Sequence, residues 1–132
     1  MRRTRLTFVL IIAGLLVMPR IADAHHGWID FDEKTEVTVQ GIATAFYFLN
    51  PHCVVEFEVQ DDSGHTQKWE GEFASKGELS PKGWTAASIE AGEKLTLTGH
   101  PSKDGSRAIH VTKIRTSKGE LKLGAGNPES RR

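Results

Sequence analysis

Apolar and polar positions alternate through the middle of the chain, and the alternation is clearest between residues 52 and 60. The apolar phase contains Cys53, Val55, Phe57 and Val59. A period of two is typical of a β-strand with one buried face. Asn50 and Pro51 favour a turn just before this strand. We therefore predict a hairpin with His52 at its tip or just inside the second strand, on the face away from the core.

The same pattern predicts five main strands and one short helix. The first strand covers residues 36–48, and its apolar phase changes after Gly41, which predicts a β-bulge at that glycine. The other strands are predicted at residues 52–60, 65–73, 93–99 and 107–115, with a short edge strand at 120–123. A helix is predicted at residues 85–90 because Thr85 is a suitable N-cap.

Three strands, a short helical connection and two more strands are the order of a small five-stranded barrel of the OB type. We therefore predict an all-β fold with one short helix, arranged as an OB-like barrel. An open antiparallel β-sandwich is the alternative. Trp69 and Phe73 are predicted to lie in the core, and Gly71 is predicted to lie where another part of the molecule comes close. Trp84 is the expected apolar anchor of the helical connection.

The N-terminus has the features of a secretory signal peptide. Three arginines precede an apolar run at residues 6–18, and Ala22 and Ala24 supply the small residues of a cleavage site. The run is shorter than the about 20 residues that span a membrane, so no stable span is expected after cleavage. We predict a signal peptide at 1–24, one β domain at 25–123 and a flexible tail at 124–132. The short signal is typical of bacteria, so the mature protein is expected in the periplasm or outside the cell.

Cleavage after Ala24 would change the charge balance of the chain. The full sequence has a formal net charge of +0, with 17 basic and 17 acidic residues. Loss of residues 1–24 removes four basic residues and one acidic residue, which leaves a net charge of −3. A mildly acidic domain without a basic stripe is a poor candidate for binding nucleic acid.

Cleavage would also place His25 at the new N-terminus. Its α-amine and imidazole would form a natural chelate for a metal ion, and copper binds such nitrogen ligands most tightly among the divalent first-row metals. His52 closes the first turn and His100 closes the fourth strand, and these positions need not be distant in a barrel. We therefore predict His25, His26, His52 and His100 as candidate metal ligands. His65 and His110 are expected to face outward without such a role.

Catalysis has little support in the sequence. We find no nucleophile, zinc-protease, phosphate-loop or CxxC motif, so the chain is not expected to be an enzyme. A copper oxidase built on His25 is the weakest hypothesis. Cys53 is the sole cysteine, and its apolar companions predict a core position. A soft-metal site would require His52 and Cys53 to lie together in the loop.

A set of short motifs resembles a family of small exported bacterial proteins with a domain of unknown function. The motifs are His25-His26, residues 37–41, Asn50-Pro51-His52, Gly83-Trp84, residues 98–101 and residues 103–106. The resemblance implies export and one compact β domain, and it supplies no activity. The chain departs from the family at Cys53, where an apolar residue is usual.

Two functional hypotheses follow. The first is an exported binding or accessory protein that binds copper or another transition metal through an N-terminal histidine cluster. The second is a metal-independent OB-like module that holds a periplasmic partner protein or a small ligand. This second hypothesis uses the barrel face and the loops around Trp28 and Trp84.

Overall fold

The computed structural model describes residues 30–124. The strands are β1 (Val37–Tyr47), β2 (Val54–Gln60), β3 (Thr66–Glu72), β4 (Lys94–Pro101), β5 (Ala108–Thr116) and β6 (Gly119–Leu121). A short helix α1 (Lys76–Leu79) and a 3-10 turn (Ser80–Lys82) connect β3 to β4. The predicted signal peptide, His25, His26, Trp28 and nearly all of the predicted tail lie outside the described residues.

The strands form one sheet in the order β3-β2-β1-β4-β5-β6. The two sides of the sheet meet where β3 pairs in parallel with β5, which closes a five-stranded barrel. The strand β6 adds to β5 beyond the closure. This topology confirms the predicted OB-like barrel. It is not the open sandwich, because the β3–β5 pairing joins strands that a sandwich would leave apart.

The core fills the barrel with the apolar phase that the sequence pattern predicts. Cys53, Val55 and Phe57 are buried, while Val59 is partly buried. Phe73 is fully buried, and its ring centroid lies 5.5 Å from that of Trp84. Burial of such apolar side chains is the main favourable term in folding.

Trp84 belongs to this core rather than to an exposed loop. Its side chain is only 4% exposed, and its indole Nε1–H donates a hydrogen bond to the carbonyl oxygen of Lys122 at 2.8 Å. The predicted apolar anchor is therefore confirmed. The Trp84 ring itself is not part of an exposed surface, because it faces Phe46 and Phe73 inside the barrel.

The bulge in β1 lies three residues beyond its predicted place at Gly41. The register between β1 and β2 shifts between Ala43 and Ala45, which places the extra residue at Thr44. Gly41 lies near the point where β1 changes its pairing from β4 to β2. A Cβ at Gly41 would lie 2.5 Å from the carbonyl oxygen of Glu58, so close backbone approach accounts for this glycine.

The helix also lies elsewhere than predicted. Residues 85–90 form turns and bends, and α1 begins nine residues earlier, at Lys76. Ser75 accepts a hydrogen bond from the Glu78 backbone N–H, and the Glu78 side chain accepts one from the Ser75 backbone. This capping box satisfies two backbone donors at the helix start. Thr85 instead accepts from the Ala87 N–H, which stabilises a local turn.

The other predicted elements agree with the structure to within about two residues. The strand β2 begins at Val54 rather than at residue 52, and β4 continues to Pro101. His100 therefore lies inside a strand rather than at its end. Gly71 lies where predicted, since a Cβ there would meet the side chain of Val55 at 2.9 Å. Among residues 30–124, no helix is long and apolar enough to cross a membrane.

Candidate functional site

The segment before β1, residues 30–36, is called the lead-in here, and it docks on the end of β4. Phe31 forms an isolated antiparallel bridge with Ser102. The backbone N–H of Asp32 donates to the carbonyl oxygen of Pro101 at 2.8 Å. These backbone contacts fix where the chain enters the barrel.

An ion pair also holds the lead-in to the turn after β4. The Lys103 Nζ lies 2.9 Å from Asp30 Oδ2, and the Lys103 backbone N–H donates to the Asp30 carbonyl oxygen at 2.8 Å. The hydrogen bond to Asp30 and its negative charge raise the pKa of Lys103. Both side chains are exposed, so water screens this pair and its net contribution to stability is small.

His100 is oriented by the lead-in. Its Nδ1 lies 2.8 Å from the carbonyl oxygen of Thr35. A carbonyl oxygen only accepts hydrogen bonds, so Nδ1 carries the hydrogen and Nε2 of the neutral ring carries the lone pair. Asp32 stabilises the turn that presents this carbonyl, since Thr35 Oγ1 donates to Asp32 Oδ2 at 2.6 Å. The hydrogen bond from Thr35 lowers the pKa of Asp32.

His110 lies directly opposite His100 in the antiparallel β4–β5 ladder. The two ring centroids are 6.5 Å apart, and the Phe31 ring centroid is 5.5 Å from that of His110. A register shift next to Gly99 sets this pairing. A Cβ at Gly99 would collide with the carbonyl oxygen of His110, so the close approach of the strands requires glycine there.

Glu72 lies beside His110 on the other side of the barrel closure. It pairs with His110 in the parallel β3–β5 ladder. Its Oε1 lies 3.4 Å from Nδ1 of His52, and the two side chains are 37% exposed for His52 and 24% for Glu72. We call His52, Glu72, His110 and His100 the histidine row. All four side chains are partly buried on the outer face of the barrel.

Two of the predicted metal ligands, His52 and His100, belong to the histidine row. It places His52 and His100 on the same face, at its two ends rather than in contact. His65 is highly exposed in the turn before β3, as predicted. Within the described part of the chain, no group of three or more His, Cys, Asp or Glu side chains is arranged to hold a metal ion.

The sequence did not identify Glu72 or His110 as candidate site residues. Each is out of phase with buried neighbours, which indicates only an outward direction. The β3–β5 pairing that makes them neighbours joins residues 38 positions apart, from Glu72 to His110. No local pattern marks that pairing.

Cys53 faces away from the row. It precedes the first residue of β2, yet it is fully buried, and its Sγ lies 3.5 Å from the Leu49 carbonyl oxygen. Burial raises the pKa of this thiol, and the hydrogen bond to Leu49 partly offsets the effect. The core prediction is confirmed. A soft-metal site would require His52 and Cys53 to lie together in the loop before β2. Both residues precede β2, but their side chains face opposite sides of the barrel wall.

A family model described as a family of unknown function (DUF6152) matches residues 14–111. The protein belongs to this family. The match covers about three quarters of the chain and includes every residue of the histidine row. It confirms the resemblance that the short motifs indicate.

Comparison of this DUF6152 protein with solved structures gives a match to the crystal structure of yeast Stn1 and Ten1. The match has 18% sequence identity and a TM-score of 0.40, and it covers 62% of this chain and 42% of the other. The DUF6152 chain therefore spans less than half of the length of that chain. No curated protein matches the sequence. The fold assignment rests on the strand pairing described above.

Proposed function

We propose that this DUF6152 protein is exported and binds copper, or another transition metal, through a histidine cluster. His25 and His26 supply the N-terminal part of this cluster, and either His52 or His100 supplies the part on the barrel, because these two lie at opposite ends of the histidine row. The observation that carries the proposal is the docking of the lead-in beside His100. It fixes Asp30, the first described residue, beside the turn after β4, close to the strand that carries His100.

The reach of the chain supports this arrangement. Five residues separate His25 from Asp30, and an extended chain of that length spans at most about 18 Å. Asp30 is bonded to Lys103, close to the end of β4. Neighbouring strands lie about 4.8 Å apart, so His100 on β4 and His110 on β5 fall within this reach. A signal peptidase cut after Ala24 would free the α-amine of His25 for chelation.

The donor chemistry of the row also favours a transition metal. Metal-bound histidines usually donate their second N–H to a carbonyl or carboxylate, which fixes the ring and raises its basicity. His100 makes such a bond to Thr35, and His52 has the Glu72 carboxylate beside its Nδ1. Imidazole and amine nitrogens are ligands that suit copper and zinc.

A copper(II) titration of mature protein that begins at His25 tests the proposal. We expect one tight equivalent. One extra N-terminal glycine should weaken binding, because it moves the α-amine away from the His25 ring. His52→Ala should also weaken binding, and His65→Ala is the matched control that should leave it unchanged.

Three results would change the proposal. Affinity no tighter than that of a generic peptide would rule out the metal site. Tight binding that survives both the added glycine and His52→Ala would place the site elsewhere on the protein. Redox turnover by the bound copper would instead indicate an oxidase.

The alternative is a metal-independent module that binds a partner protein or a small ligand. Tyr47 and Leu49 favour it, because these large apolar side chains are 42% and 54% exposed at the first hairpin. Carboxylates oppose each other on the outer face of β2 and β3, where Glu56 pairs with Glu70. This acidic face disfavours nucleic acid as the ligand. Binding that resists a chelator and is lost in Leu49→Ser would support the alternative.

A further inference from the structure

The strongest additional feature is the cross-strand histidine pair on the outer face, near the end of β4 and the start of β5. His100 and His110 are directly opposite each other on antiparallel strands. Side chains at such positions have Cβ atoms about 4.5–5.5 Å apart and can act on one ligand together. The ring centroids lie 6.5 Å apart. An ion with metal–nitrogen distances of about 2.0–2.1 Å would draw the facing nitrogens to within about 4 Å.

The backbone around this pair is fixed by features that the sequence pattern did not predict. The register shift beside Gly99 sets the two histidines opposite each other. The bond from His100 Nδ1 to Thr35 leaves Nε2 as the ring nitrogen with the lone pair. The Phe31 ring packs beside the His110 ring, with the two centroids 5.5 Å apart. Restricted rings lose less rotamer freedom on binding an ion.

We propose that His100 and His110 chelate one divalent transition-metal ion as a pair. Nε2 of His100 is one ligand, a nitrogen of the His110 ring is the second, and water completes the coordination. Glu72 lies next to His110 on β3 and adds a negative charge beside the ion. The inference rests on the proposed metal-binding function. It adds His110 to the ligand set and does not require a free α-amine.

The test uses mature protein with one extra N-terminal glycine, so that the terminal chelate is impaired. Copper(II) is added in small steps, and the histidine ring signals are followed by NMR. Because copper(II) is paramagnetic, we expect the His100 and His110 rings to broaden first while His65 stays sharp. His110→Ala should lower the copper affinity at least about tenfold. His65→Ala is again the matched control.

His100→Asn provides a second variant that keeps the fold. The asparagine amide nitrogen takes the place of Nδ1 and can still donate to the Thr35 carbonyl, while the ligating Nε2 is lost. We expect the native strand signals to remain and the copper affinity to fall about as far as in His110→Ala.

The outcomes separate this inference from the proposed function. If copper binds tightly only to the protein with a free His25, and His110→Ala has no effect there, the pair is not the chelate and the terminal site stands. If the glycine-extended protein binds copper and His110→Ala weakens it, the pair is the chelate. If neither protein binds copper more tightly than a generic peptide, both proposals are wrong.

Discussion

Two adjacent residues show how differently the two faces of this barrel are built. Cys53 is fully buried among apolar side chains, with its thiol directed to the Leu49 carbonyl. His52, one position earlier, lies on the outer face beside Glu72. Exclusion of water holds the inner residue in place. The outer residue owes its surroundings to the pairing of strands that are distant in sequence.

The comparison extends along the whole of β5. Ile109 and Val111 point inward and are buried, while His110 between them is partly buried on the outside. Inner positions are therefore expected to determine stability, and the outer row is expected to determine binding. The predictions below test this division, starting with the largest expected effect.

Phe73→Ala should reduce the free energy of unfolding by about 3–5 kcal/mol, because it leaves a cavity beside Trp84. Phe73→Leu keeps most of the apolar volume and should cost less than about 1.5 kcal/mol. On the outer face, His110→Ala should change stability by about 1 kcal/mol or less. Urea denaturation measures all three. A loss in His110→Ala as large as that in Phe73→Ala would show that the row is structural.

Trp84→Phe should cost about 1–2 kcal/mol. It keeps an aromatic ring against Phe46 and Phe73, and it removes the hydrogen bond to the Lys122 carbonyl. The copper affinity should stay the same, because Trp84 is a core residue. Unfolding curves and the copper titration check the two statements. Reduced copper affinity at unchanged stability would contradict the assignment of Trp84 to the core.

Ser75→Ala should cost about 1 kcal/mol, because it removes the side chain that caps α1. Thr85→Ala is the matched comparison from the turn where the pattern places a helix. Its hydroxyl accepts a single weak local bond, so the cost should be smaller. Thermal unfolding of both variants measures the two losses of stability. A larger loss in Thr85→Ala than in Ser75→Ala would contradict this prediction.

The smallest effect concerns the pH dependence of stability at Cys53. Burial raises the pKa of its thiol, so the unfolded chain loses the thiol proton at a lower pH than the folded protein does. Stability should therefore be unaffected below the ordinary thiol pKa and should fall as the pH rises above it. The difference in unfolding free energy between wild type and Cys53→Ala, measured from pH 7 to pH 10, isolates this group. A constant difference would mean that the thiol ionises equally in both states.

These experiments test the proposed metal binding and the fold separately. The copper titration and the ring-broadening test act on the outer face, and the stability variants act on the inner face. If the two sets of variants give separate effects, the barrel is a scaffold that carries an independent site. Mixed effects would mean that the histidine row also supports the fold.

The sequence by itself determined much of the inner face of the barrel and the order of the strands along the chain. Alternation at residues 53–59 identified the inner face because a strand with one buried face has a period of two. Turn residues such as Asn50 and Pro51 separated the strands. Ser75 and Glu78 also have the spacing of a capping box in the sequence, whereas the prediction places the N-cap at Thr85.

Only the tertiary structure decided which outer residues lie together. His110 meets Glu72 through the parallel β3–β5 closure, and it meets His100 through a register shift beside Gly99. Both depend on the geometry of the closed barrel, where one residue of shift moves a side chain to the other face. Outward polar residues have no burial energy that would mark their partners in the sequence. For this reason the inner face of β2 was predictable from the sequence and the histidine row was not. Trp69, predicted in the core, only packs against it and is partly buried.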